Sequence, residues 1–275
     1  MALTPQPETM LTSAIRLPEF NVFAVQFGDF GIRWYALAYI AGLVIGIFIL
    51  KRGTRAADSP VTSDNIDSLL NYLLVGLILG GRFGYVLFYN AGYFITDPLA
   101  IFRVWEGGMS FHGALIGICL ALWLMAYRHN IPLLTLGDRV AMVAPIGLFF
   151  GRLANFINGE LYGRVTDVSW AMIFPHSDGQ PRHPSQLYEA GLEGLLLGLV
   201  MLWCWRLGGL AIKGRMTGLF CLGYGMARFL VELVRAPDPQ IGLLLGGVSM
   251  GQLLTLPMIA AGLFLLRGRR PVGHQ

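Results

Sequence analysis

Four polar side chains follow directly on an apolar run near the middle of the chain. The run covers residues 141–150, and Arg152, Asn155, Asn158 and Glu160 come next. Arg152 and Asn155 are three residues apart and therefore share one face of a helix, which Asn158 continues. A guanidinium beside two amides offers several N–H donors to an anion such as phosphate. The stretch therefore predicts the wall of a polar site for an anionic ligand.

Membrane energetics favour a functional interpretation of this stretch. A charge in the hydrocarbon core costs about 3 kcal/mol, so such residues usually face a protein interior or a water-filled cavity. Gly159 and Gly163 are expected to end the helix and to turn the chain into a soluble segment. The alternative is that Arg152 only pairs with Glu160 and holds that turn.

A second polar stripe lies in the apolar run near residues 216–235. Tyr224, Arg228, Glu232 and Arg235 are spaced at i, i+4, i+8 and i+11. At about 100° per residue they fall within a sector of about 80°. One charged face on an apolar helix indicates that the stripe points into a helix bundle, towards the same site. The alternatives are an ion pair of Arg228 with Glu232 that only fixes packing, and an Arg235 that snorkels to the membrane surface.

Other candidates lie near the ends of apolar runs. His112 follows Gly107-Gly108, which allow a ligand to approach closely, and histidine is the commonest general base. A lone histidine at a helix start is, however, more often a structural donor. Tyr35 begins the first run and offers a hydroxyl, while Arg82 and Tyr89 lie in the second. Packing of small residues explains the glycines beside Arg82 but not the arginine itself.

The composition is that of a membrane protein. Of 275 residues, 55% are hydrophobic and 13% are charged, the mean hydropathy is +0.60 and the net charge is +4. Soluble domains are about a quarter charged. Cys119, Cys204 and Cys221 fit neither a disulfide framework nor a zinc site. No basic run is interleaved with aromatic residues, so nucleic acid is not expected as a partner. Residues 1–20 lack the features of a cleavable signal peptide, so the first span is expected to direct insertion.

Seven runs are long enough to cross a bilayer, since a spanning helix needs about 20 mostly apolar residues. They lie near residues 32–50, 68–89, 110–127, 138–157, 187–205, 216–235 and 248–266. Basic residues cluster at three of the connections and after the seventh run: Lys51, Arg52 and Arg55; Arg128 and Arg139; Arg206, Lys213 and Arg215; Arg267, Arg269 and Arg270. The positive-inside rule then places the N-terminus outside and the C-terminus in the cytoplasm. The predicted fold is one all-α integral membrane domain over residues 1–275, with seven transmembrane helices.

Nine arginines lie in outer segments or in the outer halves of spans: Arg16, Arg33, Arg82, Arg103, Arg152, Arg164, Arg182, Arg228 and Arg235. They oppose the usual bias and indicate an anionic ligand near the outer face, since the planar fork of arginine suits phosphate. The outer segments predict a periplasmic arm near 90–108 and a small periplasmic head near 158–186. Alternation over 168–174 predicts a strand in the head. Gln186 and Glu189 are expected as structural partners of the arginines.

Motifs of several enzyme classes are absent. The sequence has no Gly-x-Ser-x-Gly elbow, no His-Glu-x-x-His, no Walker loop and no carboxylate cluster suited to Mg²⁺. A reaction without metal or cofactor, or no reaction, fits these absences. An anionic-lipid transporter or flippase is the main alternative, although the chain lacks the internal repeats of many transporters. An intramembrane protease is disfavoured, because no serine or paired-aspartate motif is found.

These segments resemble the prolipoprotein diacylglyceryl transferase family of the bacterial inner membrane. Gly-Arg-Leu-Ala-Asn-Phe-Ile-Asn-Gly-Glu-Leu-Tyr-Gly over residues 151–163 matches the family signature throughout. Further matches follow the family's order: Arg33–Tyr35, Gly81–Arg82 with Tyr85–Tyr89, Met109–Gly113, His183–Glu189 and the stripe of Tyr224, Arg228 and Glu232. The resemblance therefore spans nearly the whole chain. Ala114 departs from it, since the family often has a second glycine there, and its methyl group would narrow the site slightly.

The resemblance implies transfer of the sn-1,2-diacylglyceryl group of phosphatidylglycerol to the lipobox cysteine of a prolipoprotein signal peptide. The products would be a thioether and glycerol 1-phosphate, made at a site open to the outer leaflet. The family ties activity to the positions of Tyr35, His112, Arg152, Asn155, Glu160, Gly163, Tyr224, Arg228 and Glu232. We expect catalytic roles for His112, Arg152, Arg228, Tyr35 and Tyr224. We expect phosphatidylglycerol to contact Arg152, Asn155, Asn158, Glu160, Gly163, Arg82, Tyr89, Glu232 and Arg235.

Overall fold

The computed structural model describes residues 14–21, 23–27, 30–54, 59–175, 177–237, 242, 244 and 247–267. Within these ranges the chain is mostly helical, with four short strands. Three residues of the basic clusters, Arg55, Arg269 and Arg270, lie outside the described residues. The chain divides into two compact units, the first formed by Met1–Phe48 and Val140–Gln275 and the second by Ile49–Arg139. A single catalytic domain over the whole chain stays a prediction.

A long helix occupies each of the seven predicted apolar runs. The helices in chain order are α1 (Trp34–Gly53), α2 (Ser63–Phe88), the short α3 (Ala91–Thr96), α4 (Phe111–His129), α5 (Leu133–Ile157), α6 (Ser185–Arg206), α7 (Arg215–Val231) and α8 (Met250–Leu266). Five of them, α1, α2, α4, α5 and α6, are long and apolar enough to cross a membrane. Helices α7 and α8 have 17 residues each. The protein is therefore a helical, multi-pass membrane protein.

In the second unit, α2 and α4 pack against each other through glycines spaced four residues apart. Gly76, Gly80 and Gly84 of α2 meet Gly113 and Gly117 of α4. A Cβ on Gly76 would lie 2.5 Å from the carbonyl oxygen of Gly117, and one on Gly84 would lie 2.7 Å from Cα of Gly113. Small residues at this spacing let two helix backbones approach closely in a membrane. They thereby fix where the first turn of α4 lies against α2.

Arg82 of α2 holds the arm predicted near residues 90–108. The arm consists of α3 and two 3₁₀ turns, Pro98–Phe102 and Val104–Glu106. The guanidinium donates hydrogen bonds at 2.5–3.2 Å to five backbone carbonyls, those of Ala100, Ile101, Arg103, Gly107 and Gly108. Arg82 is only 5% exposed. In this structure the side chain organises the arm, and its contact with phosphatidylglycerol stays a prediction.

In the first unit, the head contains less strand than the sequence predicts. The four strands form two pairs, with β1 (Ile15–Arg16) parallel to β4 (Met172–Ile173) and β2 (Phe23–Phe27) antiparallel to β3 (Phe30–Arg33). The predicted strand over 168–174 is wrong except at Met172–Ile173. A turn precedes these residues, with a hydrogen bond of 2.9 Å from the Ala171 N–H to the Val168 carbonyl. Strand β4 begins only after this turn, and its two residues pair with the two residues of β1.

Helix α6 changes its winding near its start. Residues Ala190–Leu196 form a π-helical stretch, a feature that is frequent at functional sites. A Cβ on Gly194 would lie 2.6 Å from Cα of Phe149, so α5 and α6 approach closely here. Two glutamates, Glu189 and Glu193, are fully buried on this part of α6. The packing of α5 against α6 therefore brings charged groups into the interior of the first unit.

Candidate active site

Three arginines and three glutamates form a buried ion-pair cluster in the first unit. The groups are Arg152 from α5, Glu189 and Glu193 from α6, Arg228 from α7, and Glu232 and Arg235 from the turn after α7. The glutamate side chains of α6 are inaccessible, whereas the three arginine side chains are 14–21% exposed. The two carboxylates of α6 thus lie deeper in the cluster than the three arginine side chains, which are partly exposed.

Glu189 joins Arg152 and Arg228, the two arginines that were predicted to bind the anion. Its Oε1 accepts a hydrogen bond from Nη1 of Arg228, and its Oε2 lies 3.1 Å from Nε of Arg152. Nη1 of Arg235 lies 3.7 Å from Oε1. Charges interact strongly in a low-dielectric interior. Glu189 therefore fixes the distance between the guanidiniums of α5 and α7.

Glu193 lies four residues further along α6 and is held more loosely. Its oxygens are 3.9 Å from Nη2 of Arg152 and from Nη1 of Arg228. Neither oxygen accepts a hydrogen bond from any residue that the structure describes. A buried carboxylate in this condition is uncommon, because a buried charge is costly without hydrogen bonds. Glu193 is therefore a functional candidate.

Glu232 closes the cluster on the side of α8. Its Oε1 lies 2.6 Å from Nη2 of Arg228, and its Oε2 accepts a hydrogen bond of 2.7 Å from the Ser249 hydroxyl. A Cβ on Gly251 would lie 2.5 Å from Cδ of Glu232, so glycine lets the start of α8 approach. The ion pair of Arg228 with Glu232 that their spacing predicts is present, but it is one part of a larger network.

Glu160 binds the two asparagines rather than Arg152. Nδ2 of Asn155 and Nδ2 of Asn158 lie 3.2 Å and 3.1 Å from Oε1 of Glu160, and both donate to it. Arg152 pairs with Glu189 instead. The alternative in which Arg152 only pairs with Glu160 is therefore wrong. The end of α5 carries a hydrogen-bonded amide–carboxylate group beside the ion-pair cluster.

The turn after α5 connects the head to the segment after α7. Gly159 has a φ of +67°, which confirms that a glycine ends the helix. Gly163 then pairs in antiparallel fashion with Arg235, and its N–H donates to the His183 carbonyl at 2.8 Å. A Cβ on Gly163 would lie 2.5 Å from the carbonyl oxygen of Val234. Only glycine fits this close backbone approach.

Exchange of Gly163 for alanine is expected to lower stability and activity, because the added methyl group pushes two backbone segments apart. Overpacking of this kind costs about 2 kcal/mol. Thermal unfolding of the purified protein in detergent would measure the loss. Gly151→Ala is the matched control, because the added Cβ would meet no described atom within 4 Å beyond its chain neighbours and the backbone of its own helix. Equal unfolding temperatures for the two variants would contradict the prediction.

Two predicted tyrosines lie in the first unit. Tyr224 of α7 lies within electrostatic reach of Glu193 and Arg228, which places it beside the cluster. The Tyr35 hydroxyl lies 2.8 Å from that of Tyr39, one turn further along α1. Tyr39 was not singled out from the sequence, yet Arg152 and Glu160 act on it electrostatically. The hydroxyl pair therefore belongs to the surroundings of the site.

The remaining three predicted residues lie in the second unit. Arg82 holds the arm, and Tyr89, at the end of α2, is exposed. His112 is exposed in the first turn of α4, which Ser110 caps by accepting a hydrogen bond from the helix backbone. That Arg82, Tyr89 and His112 line the same site as Arg152 stays a prediction.

Some outer arginines have structural roles. Nε and Nη2 of Arg182 donate to Asp178 at 3.0 Å and 2.7 Å, and Nη1 donates to the Gly163 carbonyl at 3.1 Å. The bonds from Arg182 hold the pKa of Asp178 below its ordinary value. Burial lowers the pKa of the neighbouring His183, so this imidazole is neutral at neutral pH. Nε of Arg164 donates to the Arg235 carbonyl at 2.9 Å. These arginines hold the head together.

Glu193 is a candidate that was not predicted from the sequence. The expectation that Glu189 is a partner of the arginines is confirmed, whereas Gln186 donates to the backbone carbonyl of Glu160 at 2.6 Å. Glu189 and Glu193 are four residues apart at the start of an apolar run. A charged residue in an apolar run is the signal that indicates Arg152, and the same signal applies to Glu193.

Long apolar helices and a buried charged cluster define a multi-pass membrane protein with a polar interior site. The family model described as prolipoprotein diacylglyceryl transferase matches residues 22–267. Relatives from Methylocella silvestris and Rhodospirillum rubrum are each 53% identical to the chain, over 92% and 91% of it and 94% and 92% of their own length. Both are named phosphatidylglycerol–prolipoprotein diacylglyceryl transferase. The chain belongs to the prolipoprotein diacylglyceryl transferase family, which confirms the resemblance and makes it a transferase.

Proposed function

We propose that this protein transfers the sn-1,2-diacylglyceryl group of phosphatidylglycerol to the lipobox cysteine of prolipoproteins. The observation that carries the proposal is the pair of guanidiniums, from α5 and α7, that one buried carboxylate holds together. Two arginines in a partly buried site suit the phosphodiester of an anionic lipid. Membership of a transferase family favours this reaction over transport of the lipid.

The reaction requires a thiolate and a stabilised leaving group. The cysteine sulfur bonds to the sn-3 carbon of the diacylglyceryl group, and the bond from that carbon to the phosphate oxygen breaks. The electron pair leaves with glycerol 1-phosphate. Arg152 and Arg228 stabilise the charge that gathers on the phosphate, since preorganised charge in a buried site is usually the largest catalytic term. We assign the proton of the thiol to His112.

We also propose that all seven long helices cross the bacterial inner membrane. Lys51, Arg52, Arg128, Arg206 and Arg267 lie at the ends of α1, α4, α6 and α8, which become cytoplasmic ends in this arrangement. The N-terminus, the arm and the head then lie on the periplasmic side. Labelling of single cysteines introduced at Asp178 and Lys213 with a membrane-impermeant reagent tests this topology, since only the first should react in intact cells.

The transfer reaction is tested directly with purified protein, phosphatidylglycerol and a synthetic lipobox peptide. Mass spectrometry should show a peptide that has gained one diacylglyceryl group, together with release of glycerol 1-phosphate. Phosphatidylcholine in place of phosphatidylglycerol should give no product. Movement of lipid across vesicles without any change in peptide mass would support the transporter alternative instead.

Exchange of His112 for glutamine is expected to lower the transfer rate by about a hundredfold, because general-base catalysis is worth at least that much. Raising the pH should restore part of the rate, since a free thiol ionises near pH ~8.5. Initial rates of the purified variant across pH measure both effects. His129→Gln, the same exchange in the last turn of α4, is the matched control. Near-normal turnover of the His112 variant would refute the base assignment.

A further inference from the structure

Among the residues that the structure describes, the charges of the ion-pair cluster balance before any ligand enters. Its members are three arginines and three glutamates, linked by contacts of 4 Å or less. With every group ionised, three positive charges offset three negative ones. The positive charges of Arg152 and Arg228 are therefore already offset by glutamates when no anionic ligand is bound. Each already faces Glu189 and Glu193.

A phosphodiester that binds to these arginines upsets the balance. Phosphatidylglycerol carries one negative charge, so the occupied cluster would hold four negative charges against three positive ones. Uncompensated charge is costly in a buried site. Uptake of one proton by a carboxylate restores neutrality without moving any helix.

The three carboxylates differ in how tightly they are held. Glu189 accepts a hydrogen bond from Arg228 and lies 3.1 Å from Arg152. Glu232 lies 2.6 Å from Arg228 and accepts a hydrogen bond from Ser249. Only Glu193, among the three, has two oxygens that accept no hydrogen bond from the described residues, and its arginine contacts are 3.9 Å long. Protonation of Glu193 therefore breaks no hydrogen bond to a described residue and weakens only its two long arginine contacts.

The surroundings of Glu193 also favour a neutral form once an anion is present. The groups that act on it electrostatically come from its own helix, from α5 and from α7 with the turn that follows: Glu189, Arg152, Arg228, Glu232 and Tyr224. When phosphate oxygens engage the two arginines, their positive charge is shared with the ligand. The two arginines then offset less of the repulsion between Glu193 and the neighbouring carboxylates.

We propose that Glu193 takes up one proton from solvent when the phosphodiester binds, and that this uptake keeps the occupied site neutral. The inference rests on the proposed function, since it takes phosphatidylglycerol as the anion. Glu193 is then a positioning residue that lets Arg152 and Arg228 face the phosphate. Because binding consumes a proton, affinity for the lipid falls as pH rises, by up to about tenfold per pH unit.

Isothermal titration calorimetry of the full-length protein in detergent tests the proposal, with short-chain phosphatidylglycerol as the probe. Titrations at one pH in buffers of different ionisation enthalpy give the number of protons bound per lipid. We expect about one proton for the wild type and about none for Glu193→Gln, which mimics the protonated form. Glu193→Gln should bind at least as tightly at neutral pH, with an affinity that changes little with pH.

Glu106→Gln is the matched control, because Glu106 forms an exposed ion pair with Arg103 outside the cluster. It should keep the proton uptake of the wild type. Wild-type binding without proton uptake would overturn the inference, and so would unchanged uptake in a folded Glu193→Gln. A wild-type proton count near zero overturns the inference even if that variant fails to fold. Absence of any phosphatidylglycerol binding or transfer by the wild type would instead overturn the proposed function.

Discussion

Exchange of Arg228 for lysine is expected to lower the rate of diacylglyceryl transfer by about a hundredfold or more, the usual effect of removing a preorganised donor. Arg228 contacts Glu189 with Nη1 and Glu232 with Nη2. A single ammonium keeps the charge but cannot hold both carboxylates and also present a fork to phosphate. Initial rates with the lipobox peptide and saturating phosphatidylglycerol measure the loss.

Lysine is a sharper test at this position than alanine, because alanine would leave three buried carboxylates against two arginines. Arg103→Lys provides the control, since Arg103 pairs with Asp97 and Glu106 at the surface of the arm. That variant should transfer normally. A rate close to wild type for Arg228→Lys would exclude two-nitrogen contact with the phosphate as the source of catalysis.

Exchange of Glu189 for alanine is expected to lower the free energy of unfolding by about 3 kcal/mol, because it leaves partly buried arginines without their shared, fully buried partner. Glu189→Gln should cost less, since the amide oxygen still accepts a hydrogen bond. Denaturant titration in detergent, followed by circular dichroism, measures both.

The control for Glu189 is Asp178→Ala. Asp178 also pairs with an arginine, but its side chain is 50% exposed, and a surface pair is worth about 1 kcal/mol or less. The two alanine variants therefore compare a buried carboxylate with an exposed one. Similar stabilities of these variants would mean that Glu189 does not hold the arginines together.

The helices of this protein follow from its sequence, whereas the short strands do not. A run of about 20 apolar residues has few alternatives to a helix in a membrane, because its backbone must satisfy its own hydrogen bonds. Strand pairing is a long-range property. Residues Met172–Ile173 pair with Ile15–Arg16, and no local pattern indicates that partner. Alternation over 168–174 therefore overestimated the length of the strand.

The sequence indicates that arginines form the site, but it does not show which of the outer arginines belong to it. Arg152 and Arg228 stand out because each lies on an apolar helix, and both are in the cluster. Arg82 and Arg182 belong to the same unusual set of outer arginines, yet they bind backbone carbonyls and Asp178. A sequence shows where a charge is costly. It does not show whether the protein or a ligand offsets that cost.

The way in which Arg82 holds the arm determines which residues of the arm can be substituted. All five of its acceptors are main-chain carbonyls, which every amino acid provides. Exposed side chains of the arm, such as Phe102 and Trp105, are therefore free to change while the backbone keeps its course, whereas Ala100 is fully buried and the positive φ of Gly107 and Gly108 favours glycine. Substitutions at the exposed positions of the arm can therefore change its surface chemistry and leave its backbone contacts with Arg82 in place. Arg82 has no such freedom, because only a guanidinium carries five N–H donors in one plane.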